Sequence, residues 1–258
     1  MALKFINITE DEFLSKKLLH KFMPLEYALE TLNNKHLWFA NPTTWKDPFE
    51  KRFIDATYKS LNGELHKFTW RDRVFCICMT QTATSEAYWN TYSPHSIGVE
   101  LKFIRKKLLD VLKQLAENYD IFIGKVEYMK TADIQKALSN IPFNPPCNHN
   151  IRTKACRARL LLLKRIAYKY EDEIRIMIIK KNITKGKGIY IDYVCDNVEM
   201  IDSITLDPTL EKNVTKLLKD IFVNHYGFTP ISTGNSKKFR VQKSSLYTDV
   251  KPVEITIR

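Results

Sequence analysis

Five consecutive residues, Glu171-Asp172-Glu173-Ile174-Arg175, hold the densest chemistry in the sequence. Carboxylates two apart on an extended strand share a face and can divide labour. One opposes a developing cation or holds a sugar hydroxyl, and the other orients an acceptor. The same alternation sends Ile174, Ile176 and Ile178 to the opposite face. The pattern therefore also describes a half-buried strand whose charged side, with an internal Glu–Arg pair, meets solvent. Pattern alone leans to that second reading.

A basic segment surrounds these acids. Residues 151–187 hold twelve Lys or Arg against three acids, nine of the chain's net +12 charges. A helix over Ile151–Ile166 places Lys154, Arg157, Lys164 and Arg165 in one stripe. Such a stripe tracks the phosphates of nucleic acid or of a nucleotide, or else is a solvated lysine-rich surface; composition does not separate the two.

Other chemistries find less support. Cys76 and Cys78 share one face of an apolar strand, and Cys147, His149 and Cys156 lie near one another, but no Cys-x-x-Cys pair occurs. Buried free thiols are the better reading, and no metal is expected. There is no Gly-x-Ser-x-Gly elbow and no Walker or Rossmann glycine loop; Gly186-Lys187-Gly188 reads as a hairpin turn. The segment Leu37–Glu50 packs two prolines, Asn41, Asp47 and several large aromatics into fourteen residues. It is a rigid loop that either caps the core or binds a ligand.

The elements that must carry these residues follow from periodicity. Leu25, Ala28, Leu29 and Leu32 recur at helical spacing behind Pro24, and a helix is expected over Ile104–Asn118. Strands are expected at 36–40, 74–79, 96–103, 121–128 and 174–178, near 189–194 and 199–206, and in the tail near 239–242 and 253–257. A further helix follows Pro208. Three prolines make 140–150 a loop, the sole candidate boundary, and the chain is not cut there. Strands and helices mix without a strict βαβ repeat. The expected fold is α+β, a single domain over 1–258 with a mixed or antiparallel sheet and peripheral helices.

Length and composition agree with this. The 258 residues are enough for a real core, and 44% hydrophobic with 27% charged excludes disorder. The excess of Lys and Arg points to a polyanionic partner. Met1–Glu12 lacks the apolar stretch of a signal peptide. The longest aliphatic run, Leu160–Leu163, falls far short of the ~20 residues that span a bilayer. With five cysteines, an odd number, in no regular framework, reduced thiols, a cytoplasmic location and no membrane partner are expected.

Ordered motifs add a resemblance. The segment Leu37–Glu50 resembles the Leu-Trp-Phe-x-Asn-Pro-x-x-Phe-x-Asp-Pro-Phe-Glu signature of a bacterial domain-of-unknown-function family, number twenty-nine seventy-one, with Trp45 in the usual Phe position. His20-Lys21-Phe22, Phe75–Met79, Trp89-Asn90-Thr91-Tyr92, Gly98–Leu101, Lys164 with Tyr170–Arg175, and Val241–Tyr247 match further blocks in order. The layout is similar to that of ADP-ribosyltransferases in the diphtheria-toxin and DarT mould.

That likeness implies an ADP-ribosyltransferase-like fold and an NAD-dependent transferase, a toxin or phage-defence effector with a neutralising antitoxin as a partner; the basic segment favours nucleic acid, RNA more than DNA, as what it modifies. The likeness implies His20 or Lys21 on the ribose or pyrophosphate, with Asn41 also on the cofactor. Trp38, Trp89 and Tyr92 would pack on nicotinamide, Glu173 would stabilise the ribosyl cation, and Glu171 would orient the acceptor. Two alternatives stand beside it: a basic nucleic-acid-binding or nuclease-like effector in which Glu171 and Glu173 hold a divalent ion, and a non-catalytic interaction module.

Overall fold

The computed structural model describes residues 3–59, 62–67, 69–83, 85–93, 97–139, 154–233 and 236–248. Within them, ten strands form the main sheet. They are β1 (Leu3–Ile6), β2 (Leu18–Pro24), β3 (His36–Ala40), β4 (Val74–Thr80), β5 (Gly98–Ile104), β6 (Asp120–Lys125), β7 (Glu173–Ile179), β8 (Gly188–Asp192), β9 (Ile201–Leu206) and β10 (Val241–Lys243). The order is β1-β6-β7-β4-β2-β5-β9-β10, with β3 beside β4 and β8 beside β3. Two pairs, β1/β6 and β9/β10, are parallel and the rest antiparallel, so the sheet is mixed. The α+β class with helices flanking a mixed sheet holds.

The sheet forks at β4. Its Thr80 pairs His20 of β2, whereas its Cys76 pairs Ala40 of β3. Between these points β4 has lost its neighbour, and the open backbone is capped by a side chain: the Lys21 ammonium donates to the Cys78 carbonyl at 2.9 Å. A buried carbonyl needs such a partner.

One face of the sheet carries the larger core. Ile174, Ile176 and Ile178 of β7, all fully buried, pack there with Phe75, Ile77, Leu101 and Phe103. The helices α1 (Leu25–Asn34), α3 (Arg105–Leu115) and α5 (Lys212–Asn224) cover it with Ala28, Leu32, Leu108, Leu112 and Phe222. On the opposite face two smaller clusters flank the fork. Phe53, Ile54, Trp70, Leu161 and Leu162 cover Cys76 and Met177, while Phe22 meets Tyr88 and Trp89 of α2 (Glu86–Tyr92).

Several expectations are corrected. The helix expected over 151–166 is α4 (Lys154–Leu160) alone, followed by the short strand Leu163–Arg165, which pairs with Glu127–Met129. Leu161 and Leu162 leave the helix to fill the core, and Arg175 donates to the Leu161 carbonyl that a longer helix would have used. Gly124 lets Leu162 lie on β6: a Cβ there would stand 2.3 Å from Leu162 Cδ1. The strand expected at 121–128 divides where Val126 donates to the Glu173 carbonyl. Gly186-Lys187-Gly188 is no hairpin, because both edges of β7 are taken by β4 and β6 and β8 pairs with β3 instead. The half-buried β7 is buried along all seven residues.

The sequence expectations at 140–150 (with Cys147 and His149) and at 253–257 lie outside the described residues, as does the start of the helix expected at 151–166. No helix among the described residues is long and apolar enough to cross a membrane.

Candidate active site

At the fork a cavity opens to the surface, lined by His20, Lys21, Phe22, Cys78, Met79, Thr80, Tyr88, Tyr92, Glu171 and Glu173. Sheet alternation explains the lining. His20 and Phe22 of β2, Cys78 and Thr80 of β4, and Glu173 of β7 lie on one sheet face through the pairs His20–Thr80 and Glu173–Thr80. The helix α2 lies over that face, and Tyr88 and Tyr92, one turn apart, stack with ring centroids 5.8 Å apart. Tyr88 also stacks on Phe22 at 4.8 Å and donates from its hydroxyl to the Glu171 carbonyl at 2.6 Å.

Glu173 begins β7 and is 5% exposed. Arg175 donates to it twice, Nε to Oε1 at 3.1 Å and Nη2 to Oε2 at 2.9 Å, and Lys164 Nζ lies 3.2 Å from Oε2. Glu171 is not on the strand. It ends a short 3₁₀ helix (Ile166–Glu171), and Asp172, at φ 38°, turns the chain through the left-handed region before β7 begins. Lys164 also bonds Glu171 Oε2, and its Nζ lies 3.5 Å from Glu50 Oε1, which accepts from Arg175 as well. Three carboxylates thus share two cations in a buried cluster.

That imbalance divides the two glutamates. Burial alone would raise the Glu173 carboxyl, but Arg175 and then Lys164 overcome it and hold it low, at about 2. Glu171 moves the other way: burial raises it, and Lys164, shared with two more acids, does not offset this. Carboxyl groups pushed apart by their surroundings are suited to different protonation roles. Burial also raises the thiol of Cys78 and the phenols of Tyr88 and Tyr92, and lowers the Lys21 ammonium.

On the other wall, His20 Nδ1 lies 2.6 Å from Glu100 Oε1, and Glu100 is itself buried. The carboxylate fixes the ring and leaves Nε2 as the nitrogen for a ligand.

The structure therefore unites Glu171, Glu173, His20, Lys21 and Tyr92 around one cavity, and leaves three other expected residues outside its lining. Trp89 sits behind Phe22 in an edge contact at 5.0 Å. Trp38 is 40% exposed and lies against Tyr190. Asn41 is fully engaged in holding its own loop: Oδ1 accepts from the Thr43 amide and hydroxyl, and Nδ2 donates to the Arg71 carbonyl.

The four basic residues do not form a stripe, because α4 ends before two of them. Lys154 pairs with Asp120, Arg157 is half-buried near Arg73, and Lys164 is buried among the carboxylates. Arg165 bonds Asp47 at 3.1 Å and lies over the Phe49 ring.

Sequence reasoning passed over Glu50, Tyr88 and the placement of Lys164. The rigid loop 37–50 delivers Glu50 to Arg175 and sets the Trp45 ring 4.4 Å from the Arg175 guanidinium. Tyr88 stands four residues before Tyr92, the spacing that shares a helix face, whereas Trp89 is turned about 100° away.

The family model described as protein of unknown function (DUF2971) matches residues 88–176, the family that the motifs point to. The matched stretch holds Tyr88, Tyr92, Lys164, Glu171, Glu173 and Arg175. The chain is also similar to two solved structures of DarT from Thermus sp. 2.9, one in complex with NAD+ (TM-score 0.37) and one with carba-NAD+ (TM-score 0.35). Each is 8% identical and covers 88% of this chain and 95% of that chain. No curated protein matches the sequence.

Proposed function

We propose that this chain is an NAD-dependent ADP-ribosyltransferase acting through Glu173. The observation that carries this reading is a carboxylate kept ionised in a cavity walled by Tyr88, Tyr92 and Phe22, opposite His20. An anion held in place by buried cations is suited to oppose a positive charge that develops only in the transition state. The glycosidic bond between nicotinamide and ribose breaks with its electron pair on nicotinamide, leaving a ribosyl oxocarbenium facing Glu173. The acceptor's nucleophile closes on that carbon and gives its proton to Glu171, whose raised pKa suits a base.

The residues present fit one end of the dinucleotide. The polar groups of the cavity lining and the partly exposed Tyr92 ring suit the nicotinamide and its ribose, with the remainder at the mouth. Tyr92 offers a ring face to nicotinamide, with Tyr88 stacked behind it, and His20 Nε2 is available to a ribose hydroxyl or the pyrophosphate. Glu171 and Glu173 are bonded to Lys164 and Arg175, a donor set that favours this reading over one in which the two acids hold a divalent ion. The net charge of +12 makes nucleic acid the proposed acceptor class, and the motif resemblance is what adds a toxin or defence role to the proposal.

The test is incubation with NAD labelled in its adenylate, with free nicotinamide and labelled acceptor measured together, with and without a chelator. The expected result is chelator-insensitive nicotinamide release and label on nucleic acid. No release with any acceptor, or activity abolished by the chelator, would overturn the proposal.

A further inference from the structure

We propose that the edge formed by β3 and β8 is a stacking platform for single-stranded nucleic acid, centred on Trp38 and Tyr190. These residues are direct cross-strand partners, 40% and 47% exposed, with ring centroids 4.6 Å apart. His36, its side chain largely buried, backs the Tyr190 ring, stacking on it at 4.0 Å and 26°. The rings are held in place. The Tyr190 hydroxyl donates to Glu30 Oε1 at 2.6 Å, and Trp38 lies so close over Gly188 that a Cβ there would stand 2.3 Å from Trp38 Cζ2. Rigid aromatic faces open to solvent are what bases stack upon, with little ordering cost.

The neighbouring charge selects the occupant. The connection over 180–187 carries Lys180, Lys181, Lys185 and Lys187 and no acid. Among the described residues, the exposed Lys181, Lys185 and Lys187 make no ion pair. The Lys187 carbonyl accepts from the Asn41 amide at 2.8 Å, which fixes the Lys187 backbone at the end of β3 that follows Trp38. Aromatic faces beside unpaired lysines match a chain of bases on a phosphate backbone better than an apolar partner. Because Ala40 pairs Cys76, alternation puts Trp38 on the sheet face that carries the cavity. The platform thus deepens the proposed reading by naming where a nucleic-acid acceptor docks.

The test uses the full chain without NAD, so its failure and that of the transferase reading are distinguishable. Oligouridylate and oligothymidylate of about ten nucleotides are titrated by anisotropy and by quenching of protein fluorescence, beside a duplex of the same length. Single strands are expected to bind more tightly than the duplex. Trp38→Ala and Tyr190→Ala should each weaken binding by about 5- to 150-fold, as for loss of one stacked base, while Trp38→Phe keeps most of it. Trp38 is the most exposed of the four tryptophans, so the quench should vanish in Trp38→Phe although binding persists. Lys185→Gln and Lys187→Gln should each lower the slope of log K against log salt by about 0.7. Affinity unchanged in both alanine variants, no binding at low salt, or preference for an oligoglutamate peptide over either oligonucleotide overturns the platform.

Discussion

Replacing Arg175 with Met asks whether the buried charges act as one unit. Arg175 is 1% exposed and holds Glu173 through two nitrogens, the Leu161 carbonyl and Glu50, with its guanidinium over Trp45. Methionine keeps much of the aliphatic volume, so the main loss is charge. Burial pushes the Glu173 carboxyl up, yet Arg175, with Lys164 behind it, brings it from 4.5 to about 2. That difference corresponds to about 3 kcal/mol. It agrees with the ~3–5 kcal/mol typical of removing one partner from a buried pair. At about 2–4 °C per kcal/mol for a domain of this size, the melting temperature at neutral pH should fall by about 6–20 °C, read by circular dichroism. Because the folded-state pKa of Glu173 is depressed, its contribution is complete above the unfolded value of about 4.5 and is lost as pH falls towards 2. The gap between wild type and Arg175→Met should therefore narrow across that window. A variant melting within about 2 °C of wild type, or a gap constant down to the lowest pH at which both fold, would refute the connected cluster.

Three further outcomes bear on the same site. Gly124→Ala drives a Cβ to 2.3 Å from Leu162 Cδ1 and should cost about 1–3 kcal/mol by overpacking; combined with Leu162→Ala, itself costly in the core, it should cost less than the sum of the two single variants in urea unfolding, and a neutral single variant would contradict the packing. Glu171 has a raised pKa, so transfer to the acceptor should rise with pH through a value above 4.5 as the base form appears. Glu171→Gln should remove that acid limb while sparing NAD hydrolysis more than transfer, and a limb that survives the change rules Glu171 out as the base. Tyr92→Ala opens the wall beside Tyr88 and should raise the KM for NAD several-fold with the melting temperature nearly unchanged, whereas an unaltered KM would move nicotinamide elsewhere.

The strands and helices were largely legible because their periods are clean. The alternating isoleucines of β7 and the helical spacing in α1 and α3 report burial directly. What could not be read was where tertiary contacts override local pattern. Leu160–Leu163 continues a helical pattern, but Leu161 and Leu162 are worth more in the core beneath β6 than in a further helical turn. The charged residues of β7 look like a solvent face because alternation is blind to what covers it; Glu50 and Trp45 arrive from more than a hundred residues away. That Glu171, Glu173 and His20 share one cavity was legible because carboxylate spacing and motif order are local features. Asn41 and Trp38 lie outside its lining: Asn41 braces the loop that delivers Glu50, and Trp38 lies on the β3–β8 edge. Lys164 reads as one of four cations in a basic stripe, and nothing in a basic run marks the member that will be buried.

The central claim rests on one charge, so the most direct measurement is nicotinamide release from NAD by wild type and by Glu173→Gln, each shown to be folded. The amide keeps the shape of the side chain and removes the anion that faces the cavity. Loss of one preorganised electrostatic contact of this kind slows a reaction by about 10²–10³-fold, and that drop is predicted at saturating NAD. A folded Glu173→Gln protein that releases nicotinamide at the wild-type rate would contradict the account.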